Sequence, residues 1–434
     1  MQLKKDSPAL TPPMGWNSWD CYAAAVNEEQ LLGNADYMCK HLKPHGWEYV
    51  VCDIQWSDPL AGTTQNEYIN FTTLTLDGYS RLIPAPNRFP SSKDSAGFRP
   101  IADQIHGMGL KFGIHIMRGI PRQAVHAHGK IMGTEVTADR IALPASICRW
   151  NSDMYGVDCE KPGAQEYYNS LFSLYAEWHV DYVKVDDICN TNIFPHDPYS
   201  AQKEIEMIRR AIDQSGRQMV LSLSPGPAVI EKAWHMEQNA NMWRITDDFW
   251  DDWALLYNMF ERCEVWQKHV SPGCWPDCDM LPLGHIGIGF HQERRTRFTR
   301  DEQITMMTLW CIFRSPLMMG GELRDNDDWT LSLLTNDEVL YLLKGSHDAS
   351  QVERNADGAV WVSADDTGDG LFVALFNFTE QPREMTFDSD AIGQAGCFSV
   401  RDLWQHTELG GADRYVKASV NPHGARLFKL TNIQ

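Results

Sequence analysis

Two charged side chains interrupt an otherwise apolar and β-branched stretch that runs from Val180 to Cys189. They are Lys184 and Asp186, and because side chains alternate along a strand, both face the same side of it. Burying such a pair is costly, since each ion loses several kcal/mol of hydration unless close contacts compensate for it. The pair therefore indicates either a structural ion pair that ends the strand or an active-site carboxylate held beside a cation.

A second carboxylate of interest is Asp248, which follows Arg244 in a dense acidic run. Glycoside hydrolysis requires two carboxyl groups, and a retaining enzyme holds them ~5 to 5.5 Å apart as nucleophile and acid/base. Asp186, kept ionised by Lys184, and Asp248 supply such a pair if their two strands lie close together. The alternative for the acidic run is the solvated start of a helix.

Further polar and aromatic residues stand just after short apolar runs, where barrel enzymes keep their functional side chains. Carboxylates accept hydrogen bonds from hydroxyls, and an aromatic face covers the C–H face of a sugar, so the set suits a neutral polyhydroxylated ring. Taken singly, a tryptophan or a histidine is more often part of a core. The candidate substrate-binding residues are Trp16, Asp53, Ile54, His115, Lys184, Ser224, Arg244 and Asp279.

Short apolar runs alternate with amphipathic helical patterns up to about Leu340, which is typical of βα repetition. We predict a (β/α)8 TIM barrel over residues 1–340. A doubly wound sheet is the alternative, but it usually carries a Gly-rich phosphate loop that this sequence lacks. Helices are predicted over 27–42 and 162–178, with Pro162 as the first helical residue. The predicted strands are Met14–Trp19, Tyr49–Trp56, Lys111–Met117, Asp181–Ile188, Gln218–Ser224, Asn241–Asp247, a short strand around Val270, and Leu309–Arg314.

The sequence changes in character after about Leu340. The segments 359–363, 371–378 and 425–430 are short and β-rich, and turn residues divide them from one another. Such spacing is typical of antiparallel strands. We therefore predict a second domain over residues 341–434, an antiparallel β-sandwich.

Composition narrows the class of partner. A formal net charge of -20 at pH 7 disfavours nucleic acid and anionic membranes, because both repel an acidic surface. No stretch approaches the ~20 apolar residues of a membrane span, and the amino terminus lacks the apolar run of a signal peptide. We predict a cytoplasmic enzyme that acts on a small oligosaccharide or glycoside. Its 11 scattered cysteines predict free thiols, with a disulfide between Cys148 and Cys189 left open.

Two other functional classes are weighed against a glycosidase. A metal-dependent barrel hydrolase would carry His-x-His after the first strand or a comparable set, which His106 and His115 do not make, so no metal or cofactor is expected. A catalytically inactive barrel that binds sugar is disfavoured because both candidate aspartates are present. Self-association into a homo-oligomer stays open.

Several of these stretches together resemble glycoside hydrolase family 27, the α-galactosidase family. The resemblance implies a barrel with a carboxyl-terminal β-sandwich and a retaining mechanism without a metal. It implies that Asp186 is the nucleophile, that Lys184 donates to a sugar hydroxyl, and that Asp248 rather than Asp247 is the acid/base. The resembling stretches are 11–19 (TPPMGWNSW, the opening strand), 182–186 (YVKVD, the nucleophile strand), 243–248 (WRITDD, the acid/base motif), 275–280 (WPDCDM, a pocket signature) and 315–318 (SPLM, the final strand).

The departures from that family concern the substrate. Asp53 and Ile54 stand where its α-galactosidases carry two adjacent aspartates that hold the 4- and 6-hydroxyls of galactose, and His115 replaces a tyrosine. The loop at Ser224 matches neither the galactose nor the N-acetylgalactosamine version. A branched apolar side chain occupies the space of the 6-hydroxymethyl group, and L-arabinopyranose is galactose without that group.

The predicted activity is therefore that of a β-L-arabinopyranosidase, with α-galactosidase as the alternative. The prediction depends on the direction of the Ile54 side chain. If Ile54 points into the barrel core instead, another loop reads position six of the sugar.

Overall fold

The computed structural model describes residues 5–63, 68–191, 196–394 and 396–433. Within these residues, eight parallel strands form a barrel in the order β7-β6-β5-β4-β3-β2-β1-β8. A parallel bridge between Leu281, just after β7, and Met319 in β8 closes the ring. The fold prediction is thus confirmed. The barrel strands are β1 (Met14–Asn17), β2 (Tyr49–Cys52), β3 (Lys111–Met117), β4 (Tyr182–Asp186), β5 (Val220–Leu223), β6 (Met242–Arg244), β7 (Trp275–Asp277) and β8 (Leu317–Met319).

Alternation along these strands divides their side chains between two environments. One set packs against the surrounding helices, as Val183 and Val185 of β4 do. The other set fills the barrel interior with large side chains. The interior cluster includes Tyr49, Val51, Tyr182, Val220, Met242, Trp275 and Met318. Lys184 and Asp186 continue the inward set of β4, so they emerge at the carboxyl end of the barrel.

Six of the predicted strands are confirmed and two are wrong. The residues around Val270 follow a 3-10 turn, and the seventh strand lies five residues further on. The stretch Leu309–Arg314 ends a helix, Arg300–Phe313, whose last turns are buried on all sides between the barrel and the second domain. A helix buried all round shows the same continuous apolar run as a buried strand, which explains the error. The eighth strand begins instead at Leu317.

Helices surround the barrel. The predicted helix over 27–42 is confirmed, and Asn27 and Gln30 form a capping box at its start. Pro162 lies outside the helix predicted to begin there, because the chain turns at Gly163 with φ 94° before the first helical residue. The helices are α1 (Trp19–Tyr22), α2 (Glu28–His41), α3 (Arg99–Gly107), α4 (Arg122–His126), α5 (Ala138–Ile141), α6 (Ala164–Glu177), α7 (Gln202–Ser215), α8 (Ala233–Asn239), α9 (Trp253–Trp266), α10 (Arg300–Phe313), α11 (Asp328–Leu334), α12 (Asp337–Leu340) and α13 (Leu342–Gly345).

The last part of the chain is the predicted antiparallel β-sandwich. A six-stranded sheet in the order β9-β10-β11-β16-β13-β14 faces a two-stranded sheet of β12 and β15, with an apolar core between them. The predicted division at residue 340 stays a prediction; the first antiparallel strand begins at Ser346. The strands are β9 (Ser346–Arg354), β10 (Gly358–Asp365), β11 (Gly370–Asn377), β12 (Arg383–Asp388), β13 (Phe398–Asp402), β14 (Thr407–Ala412), β15 (Tyr415–Val420) and β16 (Ala425–Asn432).

The large sandwich sheet packs its other face against the barrel through α9 and α10. Phe260 of α9 meets Phe376 of β11 edge to face at 4.8 Å, and Phe313 of α10 meets Trp361 of β10 at 6.1 Å. These aromatic side chains belong to the same apolar cluster as the outer side of the barrel strands. The sandwich therefore packs against the outer side of the barrel through these two helices. Among the described residues, none of the helices is both long enough and apolar enough to cross a bilayer.

Candidate active site

A cavity of about 400 Å³ opens at the carboxyl ends of the barrel strands. Its volume lies within the range of small-ligand sites, and its position is the one that barrel enzymes use. Eight of the ten predicted site residues line it. The lining residues are Trp19, Asp20, Asp53, Ile54, Tyr68, His115, Trp150, Lys184, Asp186, Pro225, Arg244, Asp247, Asp248, Phe249, Trp250, Asp279, Met280 and Phe290.

A buried ion pair lies at the base of this cavity. Nζ of Lys184 donates to Oδ2 of Asp53 at 3.0 Å, and Asn17 Nδ2 donates to the same oxygen at 2.8 Å. Burial alone would raise the pKa of Asp53, but the Lys184 ammonium and His115 hold that pKa well below its usual range. Burial likewise opposes the charge on Lys184, while Asp53 and Asp186 raise its pKa. Both groups are therefore charged at neutral pH and fixed in place.

Asp186 ends β4 and faces the same cavity. Oδ2 of Asp186 lies 3.1 Å from Nε2 of His115, and Oδ1 accepts the backbone N–H of Asp187 at 2.9 Å. Burial acts to raise the pKa of Asp186, but the His115 hydrogen bond and the Lys184 charge lower it below its ordinary value. A carboxylate that is ionised and lines the cavity is suited to nucleophilic attack. The effect of the Lys184 charge on the pKa of Asp186 was predicted; the hydrogen bond to His115 was not.

The His115 contact predicts how activity depends on pH. With Nε2 protonated, His115 stabilises the ionised form of Asp186, so His115→Leu is expected to raise the pKa of Asp186. Since only the carboxylate attacks, the acid limb of the kcat/KM profile should then move to higher pH. The measurement is kcat/KM for a nitrophenyl glycoside from pH 3 to 8 (about the range over which carboxylates titrate). His115→Gln keeps an N–H donor and is the control; an acid limb unmoved in the leucine variant would contradict the assignment.

A second charged cluster lies at the ends of β6 and β7. Arg244 donates from Nη2 to Oδ1 of Asp248 at 3.0 Å, and its Nη1 lies 3.0 Å from Oδ1 of Asp279. Asp279 also accepts the backbone N–H of Phe249 at 2.8 Å. Arg244 is buried, whereas the Asp248 side chain is 62% exposed. Asp248 is thus a carboxyl group at the cavity mouth that solvent and a leaving group can reach.

The remaining acidic residues of that run have structural roles, and of these only Asp252 fits the solvated helix start that was the alternative. Asp251 is buried and pairs with Arg294 at 2.6 Å. Asp252 accepts the backbone N–H of Ala254 and caps α9. Asp247 lines the cavity and accepts the backbone N–H of Asp248 at 2.9 Å, which fixes the turn that carries Asp248.

Ile54 points to the cavity rather than to the barrel interior. It is 3% exposed, lines the cavity, and belongs to an apolar cluster with Met117, Cys148 and Met154. Trp19 and Trp150 pack against the same cluster from the rim. This side of the cavity is consequently apolar, while the opposite sides carry the charged groups.

Aromatic rings form a rim around the cavity mouth. Neighbouring centroids are 5.1 to 6.5 Å apart, in stacked or edge-to-face arrangements. Such rings cover the C–H face of a sugar while the carboxylates bind its hydroxyls. In order around the rim they are Trp150, Tyr68, Trp19, Phe290 and Trp250.

Two predicted residues lie outside the cavity wall. Trp16 is fully buried on the helix side of β1, where its indole N–H donates to the Gly321 carbonyl at 2.8 Å. Asn17, the next residue, points inward and binds Asp53, so alternation places Trp16 outward. Ser224 is 1% exposed beneath the cavity, and the neighbouring Pro225 provides the wall instead.

Sequence reasoning missed most of the aromatic rim. Trp19 stands in the opening motif, and the alternation that places Asn17 inward would have favoured it over Trp16. Met280 directly follows the predicted Asp279. The other rings come from long loops that show no periodic pattern, so no sequence signal pointed to Tyr68, Trp150 or Phe290.

The residues named for a metal site or a disulfide do not form either one. His106 lies at the opposite, amino-terminal end of the barrel, where Nε2 is 2.6 Å from Oδ2 of Asp181. Cys148 and Cys189 are buried free thiols, and burial raises the pKa of Cys189 to about 12. The disulfide left open between them is not formed.

Comparison with known proteins agrees with this architecture. The family model described as Alpha galactosidase A matches residues 147–344, and the model of the Alpha galactosidase C-terminal beta sandwich domain matches 355–430. A β-L-arabinopyranosidase of glycoside hydrolase family 27 from Geobacillus stearothermophilus is 56% identical over 98% of both chains, with a TM-score of 0.95. A variant of that enzyme in complex with arabinose gives a TM-score of 0.96 over 100% of both chains at 55% identity.

Two further relatives carry other names. A Bacillus halodurans structure provisionally described as an α-N-acetylgalactosaminidase is 53% identical over 98% of both chains, with a TM-score of 0.88. Alpha-galactosidase 3 of Arabidopsis thaliana is 28% identical over 432 residues, which is 98% of this chain and 82% of the relative. The barrel has a sugar-sized cavity in which these carboxylates lie beneath an aromatic rim, and its relatives are glycosidases. These observations define the protein as a glycosidase. The chain belongs to glycoside hydrolase family 27.

Proposed function

We propose that this enzyme is a retaining exo-glycosidase that releases terminal β-L-arabinopyranosyl residues. Asp186 is the nucleophile and Asp248 the acid/base. Lys184 and Asp53 hold ring hydroxyls, and the Arg244 guanidinium orients Asp248 through its 3.0 Å hydrogen bond. The shared cavity of Asp186 and Asp248 supports this pairing.

The proposed reaction proceeds by double displacement. The Asp186 carboxylate attacks the anomeric carbon while Asp248 protonates the departing glycosidic oxygen, which leaves a covalent glycosyl-enzyme. Asp248, now ionised, removes a proton from water, which attacks the anomeric carbon and releases Asp186. Each step inverts the anomeric centre, so the released sugar has the configuration of the substrate. The exposure of Asp248 allows the leaving group to be exchanged for water between the steps.

The position of the Ile54 side chain in the cavity wall is the observation on which the choice of sugar rests. This side chain contributes an apolar wall where the family's α-galactosidases place an aspartate for the 6-hydroxyl. A galactose 6-hydroxyl facing Ile54, which packs on Met117 and Met154, would lose its water without gaining a partner, at a cost of about 1 to 3 kcal/mol. L-Arabinopyranose has no such group, and its ring hydroxyls match those of galactose. The Geobacillus stearothermophilus relative named β-L-arabinopyranosidase supports the same choice.

The substitution Ile54→Asp tests this proposal. We expect the parent enzyme to favour p-nitrophenyl β-L-arabinopyranoside over the α-D-galactopyranoside by about 10- to 100-fold in kcat/KM, and the aspartate variant to narrow or reverse that ratio. Ile54→Val is the matched control, because it keeps an apolar wall and adds only a small space; it should keep the arabinoside preference. A parent that favours the galactoside would contradict the substrate assignment.

α-Galactosidase activity is the second candidate. Asp53 and Lys184 remain in place for the ring hydroxyls that galactose shares with arabinopyranose. The Arabidopsis thaliana relative named α-galactosidase supports it. We expect this activity as a slower side reaction, because a missing polar contact reduces binding without abolishing it.

A further inference from the structure

One carboxyl group in the cavity has no partner. Asp20 follows β1 in the first turn of α1, is 2% exposed, and lines the cavity. Its Oδ2 is buried without a hydrogen bond, and within the described parts of the chain neither oxygen of this carboxyl group forms a hydrogen bond or an ion pair. The carboxylates Asp53, Asp186 and Asp279 of the same cavity wall all have such contacts. A buried polar group without a partner is unusual enough to require an explanation.

The surrounding backbone holds this carboxyl group in position. The Asp20 carbonyl accepts the backbone N–H of Gly287 at 2.8 Å, which fixes the turn. Gly320 follows β8, and a Cβ atom added there would come within 2.0 Å of Oδ2 of Asp20. Any other residue at 320 would therefore displace the carboxyl group. The hydrogen bond from Gly287 and the missing side chain at Gly320 therefore both help to place the Asp20 carboxyl group.

The charge around Asp20 determines its protonation state. Burial raises the pKa of Asp20 well above its usual value, Asp279 raises it further, and Asp248 and Asp53 add to the effect against the opposing charge of Lys184. The raised pKa favours the neutral acid form of Asp20, which both donates and accepts a hydrogen bond. A sugar hydroxyl also donates and accepts, so the two groups are complementary.

We infer that Asp20 is a further substrate-binding residue, whose carboxyl group exchanges hydrogen bonds with a hydroxyl of the bound sugar. The inference rests on the proposed function. It follows from an unpartnered buried side chain in the cavity wall and from the space that Gly320 leaves for it. In the free enzyme the group is held ready without a partner, and the sugar supplies that partner.

The substitution Asp20→Ala tests the inference through binding and stability together. We expect the dissociation constant of L-arabinose and kcat/KM for p-nitrophenyl β-L-arabinopyranoside to worsen by about 10- to 100-fold. The melting temperature should stay the same or rise, because no contact within the folded chain is lost. A role in folding alone predicts the reverse, a lower melting temperature with unchanged kcat/KM per folded molecule.

The substitution Asp20→Asn tests whether Asp20 binds the sugar as a neutral acid or as a carboxylate. Asparagine has the same shape and also donates and accepts, so below the pKa of Asp20 its affinity for L-arabinose should stay close to that of the parent. As pH rises through the pKa of Asp20, the parent loses its donor and binds L-arabinose more weakly, whereas the asparagine variant does not. Binding of the free sugar involves no proton transfer to a leaving group, so Asp248 does not act as an acid in this measurement.

Asp58→Asn is the matched control. Asp58 is also fully buried with an unpartnered Oδ2, but it does not line the cavity, so its substitution should leave the affinity for L-arabinose unchanged. If the parent hydrolyses the arabinoside and Asp20→Ala binds L-arabinose equally well, the inference is overturned and the proposed function stands. A parent that neither hydrolyses the arabinoside nor binds L-arabinose would overturn both.

Discussion

Asp186→Ala is expected to lower kcat for both glycosides by between about 10⁴- and 10⁶-fold, the scale of losing a covalent nucleophile or its partner in other hydrolases. L-Arabinose should still bind, because Lys184, Asp53 and the aromatic rim remain. Sodium azide should restore turnover by entering the vacated space and attacking the anomeric carbon directly. A single displacement inverts that carbon, so the expected product is α-L-arabinopyranosyl azide, identified by proton NMR.

Asp181→Asn is the control for this experiment. Asp181 immediately precedes β4, at the end of the barrel opposite to Asp186, where it pairs with His106 and Arg217. The substitution removes a negative charge next to the same strand and should leave kcat per folded molecule unchanged. Residual hydrolysis by Asp186→Ala within 100-fold of the parent (about 2.7 kcal/mol in the barrier) would contradict the assignment of the nucleophile.

Asp248→Ala is expected to separate the two steps of the reaction. Without the acid, substrates with an alkoxide leaving group should slow by about 10²- to 10⁴-fold, whereas a p-nitrophenolate leaves with little help. The glycosyl-enzyme then accumulates, because no base activates the water, and a burst of p-nitrophenolate is expected. Azide needs no base, so it should accelerate turnover and give β-L-arabinopyranosyl azide, the opposite anomer to that from the Asp186 variant.

Asp252→Asn is the matched control within the same acidic run. Asparagine keeps the cap on α9 while removing one negative charge, so neither the burst nor an azide effect should appear. If Asp248→Ala loses no more activity on alkyl than on nitrophenyl arabinosides, Asp248 is not the acid. The identity of the azide anomer from each variant assigns the two carboxylates independently of the rates.

The charged part of the cavity was largely predictable, for one physical reason. Side chains alternate along a strand, and strands of a parallel barrel end at the same rim, so polar residues at the ends of predicted strands fall into one cavity. Asp53, Lys184, Asp186 and Arg244 obey this rule. Trp16 fails it, because the inward position belongs to Asn17 and a tryptophan next to it must face the helices.

The features that the sequence did not predict depend on contacts between residues that are distant in the chain. The segment Leu309–Phe313 belongs to a helix that is buried between two domains. Because all of its residues are apolar, its sequence has the continuous apolar run that is typical of a buried strand. Tyr68, Trp150 and Phe290 reach the rim from loops whose paths are set by contacts distant in the sequence, such as the 5.5 Å pairing of Tyr68 with Trp150. The pairing of His115 with Asp186 across β3 and β4 follows from strand register, which the sequence alone does not specify.

We propose that this enzyme acts on a β-L-arabinopyranoside by double displacement. Proton NMR of the parent enzyme with p-nitrophenyl β-L-arabinopyranoside tests it most directly, since the anomeric signals of the first sugar released appear before mutarotation mixes them. We predict that β-L-arabinopyranose appears first and the α anomer only later. If the α anomer appears first, the mechanism is inverting; if the arabinoside is not cleaved while the α-D-galactoside is, the assignment of the sugar through Ile54 is wrong.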